Sequence, residues 1–137
     1  YTDHYGKYLT DEEFIKEVKG VTAENSEDLY KTPFIIYAEG IEPQTISKCT
    51  SSIDIVPTLV NLFNLDADRK YYVGDDIFGD AGGMVMLPDY SWFNEEYTLA
   101  ESEYVTDEET LKLAADWKKR VNMSMKSMII DYFRTFK

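Results

Sequence analysis

From Thr106 to roughly Phe133 the chain reads as one long helix, the longest element it can form. Thr106-Asp107-Glu108-Glu109 has the form of a capping box, with a hydroxyl at the N-cap and a glutamate three residues on. Trp117, Val121, Met125, Met128, Ile129, Tyr132 and Phe136 then recur at steps of three and four, the apolar stripe of an amphipathic helix. Such a stripe reads as core packing. Upstream, Met84-Val85-Met86-Leu87 and Ser91-Trp92-Phe93 read as two strands, and Pro88-Asp89-Tyr90 suits the tight connection of a hairpin. A third strand is expected around Tyr97 to Leu99. Trp92 is read as a core residue of the hairpin in preference to a sugar-stacking platform.

The first part of the chain has a different rhythm. Thr10-Asp11-Glu12-Glu13 is another capping box, followed by Phe14, Ile15 and Val18 at helical spacing and by Gly20 as a stop. After a polar loop comes Pro33-Phe34-Ile35-Ile36-Tyr37-Ala38, short and rich in branched and aromatic residues, as in a strand buried on both faces. Gln44 to Lys48 is expected to add a short edge strand. Asp54 to Phe63 reads as a helix with Asp54 as N-cap, Pro57 in the first turn, and Ile55, Leu59, Leu62 and Phe63 on one face. Gly74, Gly79, Gly82 and Gly83 punctuate a loop region. The fold class is α/β running into α+β, with residues 1–80 as one part and residues 81–137, a small antiparallel sheet packed by the long helix, as the other.

A length of 137 residues, 44% of them hydrophobic and 15% aromatic, is enough for a real core. The formal charge of −12 argues against a nucleic-acid partner, since phosphate binding needs clustered Lys and Arg, and disfavours simple adhesion to anionic lipid. Cys49 is the single cysteine and has neither a histidine nearby nor a basic neighbour beyond Lys48, so it is read neither as half of an intrachain disulfide nor as a nucleophile. No run approaches a membrane span. Tyr1 is an unnatural beginning, and the chain reads as a piece of a longer protein.

Chemistry concentrates at Asp3-His4, within Thr2-Asp3-His4-Tyr5-Gly6, where the only histidine follows a carboxylate. Both are good ligands for a divalent metal, but consecutive side chains of an extended strand point to opposite faces. A strand end or a turn at Gly6 can aim both inward. Two ligands still fall short of a complete site, and spacing alone favours an ordinary surface turn. Asp75-Asp76 and Glu95-Glu96 read as solvated pairs. Asn122-Met123-Ser124 matches a glycosylation sequon but falls in mid-helix. There is no glycine-rich phosphate loop and no Ser-His-Asp arrangement.

Four blocks occur in a telling order: Thr2-Asp3-His4-Tyr5-Gly6, Pro33-Phe34-Ile35-Ile36-Tyr37, Ser51-Ser52-Ile53-Asp54-Ile55-Val56-Pro57-Thr58-Leu59 and Gly74-Asp75-Asp76-Ile77-Phe78-Gly79. Together they resemble the C-terminal part of a sulfatase-like domain of the alkaline phosphatase superfamily, an α/β/α fold. Within it they are most similar to the lipoteichoic acid synthase branch of phosphoglycerol transferases. Pro88-Asp89-Tyr90-Ser91-Trp92 is also similar to that branch, whereas the Ser51–Leu59 block is shared with true sulfatases.

The resemblance implies that Asp3 and His4 are metal ligands at a C-terminal strand end, for manganese or another divalent cation. It implies a threonine nucleophile that takes a glycerophosphate group from phosphatidylglycerol, an anionic phospholipid, and passes it to a glycolipid or growing polymer. It places the parent at the cell membrane with this domain facing outward, and the piece itself in solution. In that family the nucleophile and the remaining ligands precede the Asp-His motif. Thr2 does not match the nucleophile position, so the isolated chain is expected to turn over no substrate and to bind metal weakly. A strand at 33–38 without its sheet neighbours is expected to promote self-association. Sulfate-ester hydrolysis and phosphoethanolamine transfer are the alternatives within the superfamily. A non-catalytic surface-binding module is the alternative of another class.

Overall fold

The computed structural model describes residues 11–20, 29, 31–81 and 83–135. The chain divides into two compact units, residues 1–45 and 46–137.

In the first unit, helix α1 spans Glu12–Lys19. Its cap is Asp11, whose carboxylate accepts the Phe14 N–H at 3.0 Å. The expected N-cap, Thr10, lies outside the described residues, and the capping role falls one position later. An aspartate is at least as good an N-cap as a threonine, because its charge also faces the positive end of the helix dipole. Gly20 ends the helix in the left-handed conformation (φ 70°), with its N–H bonded to the Lys16 carbonyl. Of the apolar residues in α1 only Ile15 is buried; Phe14 and Val18 face outward.

The expected strands at 33–38 and 44–48 do not form. Both stretches lack regular secondary structure. Along 33–38 exposure alternates, and Ile35 (80% exposed) and Tyr37 (97%) stand on the open side. The pleat-like alternation is what the residues prefer, but a strand exists only with a partner to take its N–H and C=O groups. Burial on both faces is therefore corrected to burial on one at most.

The second unit opens with a 3₁₀ turn at Ser52–Asp54 that runs into helix α2, Ile55–Leu62. Its buried side is Pro57, Thr58 and Val60, and Phe63 is exposed, so the predicted 55/59/62/63 face is corrected by more than a quarter turn. Strands β1 (Met84–Met86) and β2 (Trp92–Asn94) pair antiparallel in the register Met84↔Asn94, Val85↔Phe93 and Met86↔Trp92. Their connection closes through Tyr90 N–H to Leu87 O (2.9 Å) and Leu87 N–H to Ser91 O (2.8 Å), with Tyr90 at φ 68°. That is a turn followed by one left-handed residue, a common three-residue hairpin loop, and Pro88 sets its first corner.

In place of a third strand, Thr98 caps a one-turn helix, α3 (Leu99–Ser102), in a reciprocal box with Glu101. Thr98-Leu99-Ala100-Glu101 carries that capping signature, and the local bonds outweigh the strand preference of Tyr97. Helix α4 then runs from Glu108 to Ile129. Asp107 caps it, accepting the Thr110 N–H at 2.7 Å, a bond that holds the Asp107 carboxyl below the usual carboxylate range. As at α1, the aspartate takes the role expected of the threonine before it. The helix stops at Ile129, before a 3₁₀ turn at Tyr132–Thr135, with Asp131 at φ 52°.

The core of this unit is Met84, Trp92, Ala114 and Trp117, with Val73, Met86, Tyr97, Val105 and Leu113 packed around it. Trp92 meets the Tyr97 ring edge-on at 6.3 Å, as a hairpin core residue should. The second half of the α4 stripe has no such cover: Met125, Met128 and Ile129 are exposed and Tyr132 is half-buried, which corrects the expectation that the whole stripe packs inside; Phe136 lies outside the described residues.

Truncating the two ends of that pattern separates them. Met84→Ala is expected to cost about 2–5 kcal/mol in urea denaturation, whereas Met128→Ala is expected to stay within about 0.5 kcal/mol. Equal losses would place Met128 in a core.

Candidate functional site

Two of the four sequence blocks, Ser51–Leu59 and Gly74–Gly79, meet in space at the carboxylate of Asp54. Asp54 is buried and has a second job beyond heading α2. One of its oxygens accepts the Ser51 N–H (2.8 Å) and closes the 3₁₀ turn; the other accepts the Asp75 N–H (2.8 Å), 21 positions along the chain. Asp54 caps no N–H of α2 itself. Thr58, fully buried, donates to the Asp54 carbonyl (2.6 Å) and accepts the Ile77 N–H (3.1 Å), adding a second tie between the same segments. Gly74 lets them approach: a Cβ there would fall on the Ile53 carbonyl and 2.5 Å from Asp54 Oδ1.

The network continues into α4 through Arg120. One guanidinium nitrogen donates to both Asp75 oxygens (3.0 and 3.1 Å) and to the Val73 carbonyl (2.9 Å), while Nε bonds Asp116 at 3.0 Å. The guanidinium also lies 4.7 Å over the ring of the buried Trp117. Asp76 accepts the Asn61 side-chain amide (2.6 Å) and the Phe78 N–H (3.1 Å). Asp75-Asp76 is thus a structural pair and not a solvated one. Glu95 likewise accepts the Cys49 N–H at 3.0 Å.

The hairpin docks on the same helix. Tyr90 donates its hydroxyl to Asn122 (2.8 Å), and Lys118 lies 4.8 Å over the Tyr90 ring. Asn122 of the sequon is therefore engaged in packing within α4, consistent with discounting it as a glycan acceptor.

Burial raises the Asp54 carboxyl above the ordinary aspartate value, and the Ser51 and Asp75 N–H bonds pull it back only in part. The depression beside it, lined by Cys49, Asp54, Asp75, Gly83 and Trp117 among others, has room for about one water molecule. That is far below the roughly 300 Å³ or more of a small-molecule site. Asp54, Thr58, Asp75 and Arg120 all bond within the network, while the buried indole N–H of Trp117 beside them has no protein partner. The arrangement positions three chain segments.

The predicted metal ligands Asp3 and His4 lie outside the described residues. Among the described residues no three His, Cys, Asp or Glu side chains gather where one ion could bind them. Arg120 escaped the sequence reading because it ends the run Lys118-Lys119-Arg120; its one local cue is Asp116, four residues back.

The described second unit is an α/β-type element in which a two-stranded antiparallel sheet packs on a long helix. No helix among the described residues is long and apolar enough to cross a membrane. The chain is similar to two proteins of Bacillus subtilis (strain 168). One is "Lipoteichoic acid synthase-like YvgJ", 28% identical over 107 residues, covering 73% of this chain and 17% of the relative. The other is "Lipoteichoic acid synthase 2", 24% identical over 149 aligned positions, covering 99% of this chain and 23% of the relative. The chain thus spans less than a quarter of either relative's length. No family model matches it, and no solved structure does. These likenesses point to a family related to the lipoteichoic acid synthases.

Asp54 generates a pH prediction. An acid whose folded pKa is raised favours folding when protonated, and that contribution fades as pH rises through the folded value. The Asp107 and Glu101 caps, both lowered chiefly by backbone N–H bonds, act in the opposite sense. The Asp54 side-chain ¹³C resonance is expected to titrate above that of Asp107, and the reverse order would remove the burial argument.

Proposed function

We propose that this chain is part of a metal-dependent phosphoglycerol transferase with a sulfatase-like domain, acting in lipoteichoic acid synthesis with phosphatidylglycerol as donor and a glycolipid or growing polymer as acceptor. The observation that carries the reading is similarity running along 99% of the chain to a protein named lipoteichoic acid synthase 2. The ordered blocks around Asp3-His4, Ser51–Leu59 and Gly74–Gly79 support it. In this reading the parent acts at the outer face of the cell membrane. The Asp54–Asp75–Arg120 network is the scaffold that fixes the two later blocks against α4.

Asp3 and His4 are proposed as two ligands of a divalent ion, manganese by preference. The described residues do not complete such a site, and the remaining ligands belong to the longer protein in this reading. Mn²⁺ titration of the isolated chain by calorimetry is expected to show no sub-micromolar binding. In the longer protein, Asp3→Ala and His4→Ala are expected to reduce release of diacylglycerol from phosphatidylglycerol to background. Full activity in both variants would sink the assignment. Because the Ser51–Leu59 block also resembles true sulfatases, aryl sulfate is the second substrate to assay. Its turnover in place of phosphatidylglycerol would favour the hydrolase.

The isolated chain is further proposed to self-associate through 33–38, since Ile35 and Tyr37 are exposed and the stretch is unpaired among the described residues. Sedimentation velocity is expected to show a dimer that Ile35→Lys dissociates; a monomer throughout counts against it.

A further inference from the structure

The charge of −12 is unevenly spread. Residues 117–135 carry Lys118, Lys119, Arg120, Lys126 and Arg134 against a single acid, Asp131. Arg120 is consumed by Asp75 and Asp116. The other four lie on α4 or just beyond it, where the helix also exposes its apolar residues, with Met128 71% and Ile129 80% accessible. Helical spacing sorts these residues into two adjoining rows. Lys118, Asn122, Met125 and Ile129 follow one another by four, three and four, and Lys119, Met123, Lys126 and Ile130 do the same one residue on. The first row lies about 100° round the helix from the buried Trp117, and its Lys118 and Asn122 meet Tyr90; the second row lies on the opposite side, and Met128 continues the Trp117 side beyond the hairpin. Phe133 extends the patch and stacks edge-on against Tyr71 at 5.2 Å.

We propose that this end of α4 docks on the surface of an anionic lipid bilayer. Met125, Ile129 and Phe133 would enter the headgroup region, with Lys119, Lys126 and Arg134 against lipid phosphates. Large apolar side chains interleaved with lysines are the composition of an interfacial helix, whose lysine stems lie along the apolar layer while the ammonium groups stay at the phosphates. The acids elsewhere on the chain do not cancel the attraction, because at physiological ionic strength charges more than about 8 Å apart are largely screened. The local acids are few: Asp131 pairs with Arg134 at 3.3 Å, and Asp68 pairs with Lys70. A symmetric contact between two copies would set the lysines of one face against those of the other, which disfavours a second copy as the occupant. The inference stands on charge and exposure and does not rest on the proposed reaction.

The test is co-sedimentation of the chain with vesicles of equimolar phosphatidylglycerol and phosphatidylcholine, with phosphatidylcholine vesicles as control. Binding is expected to the anionic vesicles alone and to weaken with salt. It is expected to fall about tenfold or more in Lys119→Glu/Lys126→Glu, and to fall likewise in Met128→Ser/Ile129→Ser. All four side chains are exposed, so circular dichroism should be unchanged in both variants. No binding, equal binding to both vesicles, or undiminished binding in both variants overturns the proposal. A dimer that Met128→Ser/Ile129→Ser dissolves, without vesicle binding, overturns it in favour of a second copy.

Discussion

The second unit depends on one buried carboxylate. Removing Asp54 from water is costly unless its oxygens are occupied, and each is occupied by a backbone N–H from a different segment. Asp75 gives its N–H to Asp54 and its own carboxylate to Arg120, so the chain of bonds passes from the 3₁₀ turn through the 73–77 loop into α4. The 73–77 loop approaches the 3₁₀ turn this closely because Gly74 has no Cβ to meet the Ile53 carbonyl and the Asp54 carboxylate. A loop with almost no secondary structure is fixed in this way, by bonds to its main chain and to the Asp75 carboxylate, together with the packing of Val73 on the core.

What local chemistry decides was legible in the sequence. The hairpin, its turn at Pro88-Asp89-Tyr90, the stop at Gly20 and the long last helix all follow from residues within a few positions of each other. The departures also have local causes: Asp11 and Asp107 take the caps expected of the threonines before them, and Thr98 with Glu101 turns a short apolar stretch into helix. What depends on a distant partner was not legible. The 33–38 stretch has strand residues and strand-like alternation, but pairing is a property of two segments and composition reports only one. Asp54 sits where a cap belongs, and nothing in its neighbourhood announces that its second oxygen serves a residue 21 positions away.

The candidate site was legible in its blocks more than in its roles. Ser51–Leu59 and Gly74–Gly79 were singled out by resemblance, and the bonds from Asp54 to Asp75 and from Thr58 to Ile77 give a physical reason why two such segments belong together. Arg120, which joins them to α4, belongs to neither block. A basic run on a helix usually faces solvent, and only its geometry against Asp75 and Val73 separates Arg120 from Lys118 and Lys119.

The same helix shows why periodicity overstates a core. Twenty-two residues of α4 make a rod about 33 Å long. The hairpin that packs on it has strands of three residues, about 10 Å each. It can cover Ala114 and Trp117, and Tyr90 at its tip reaches only as far as Asn122. Past that point the apolar spacing continues but the protein beneath it has ended. Met125, Met128 and Ile129 therefore stand in solvent beside Lys126. A stripe tells which side of a helix seeks cover; how far along the cover extends is set by the length of the neighbouring element. Here the uncovered length falls in a stretch, residues 117–135, where basic residues outnumber acidic ones, so the whole-chain charge misdescribes this part of the surface.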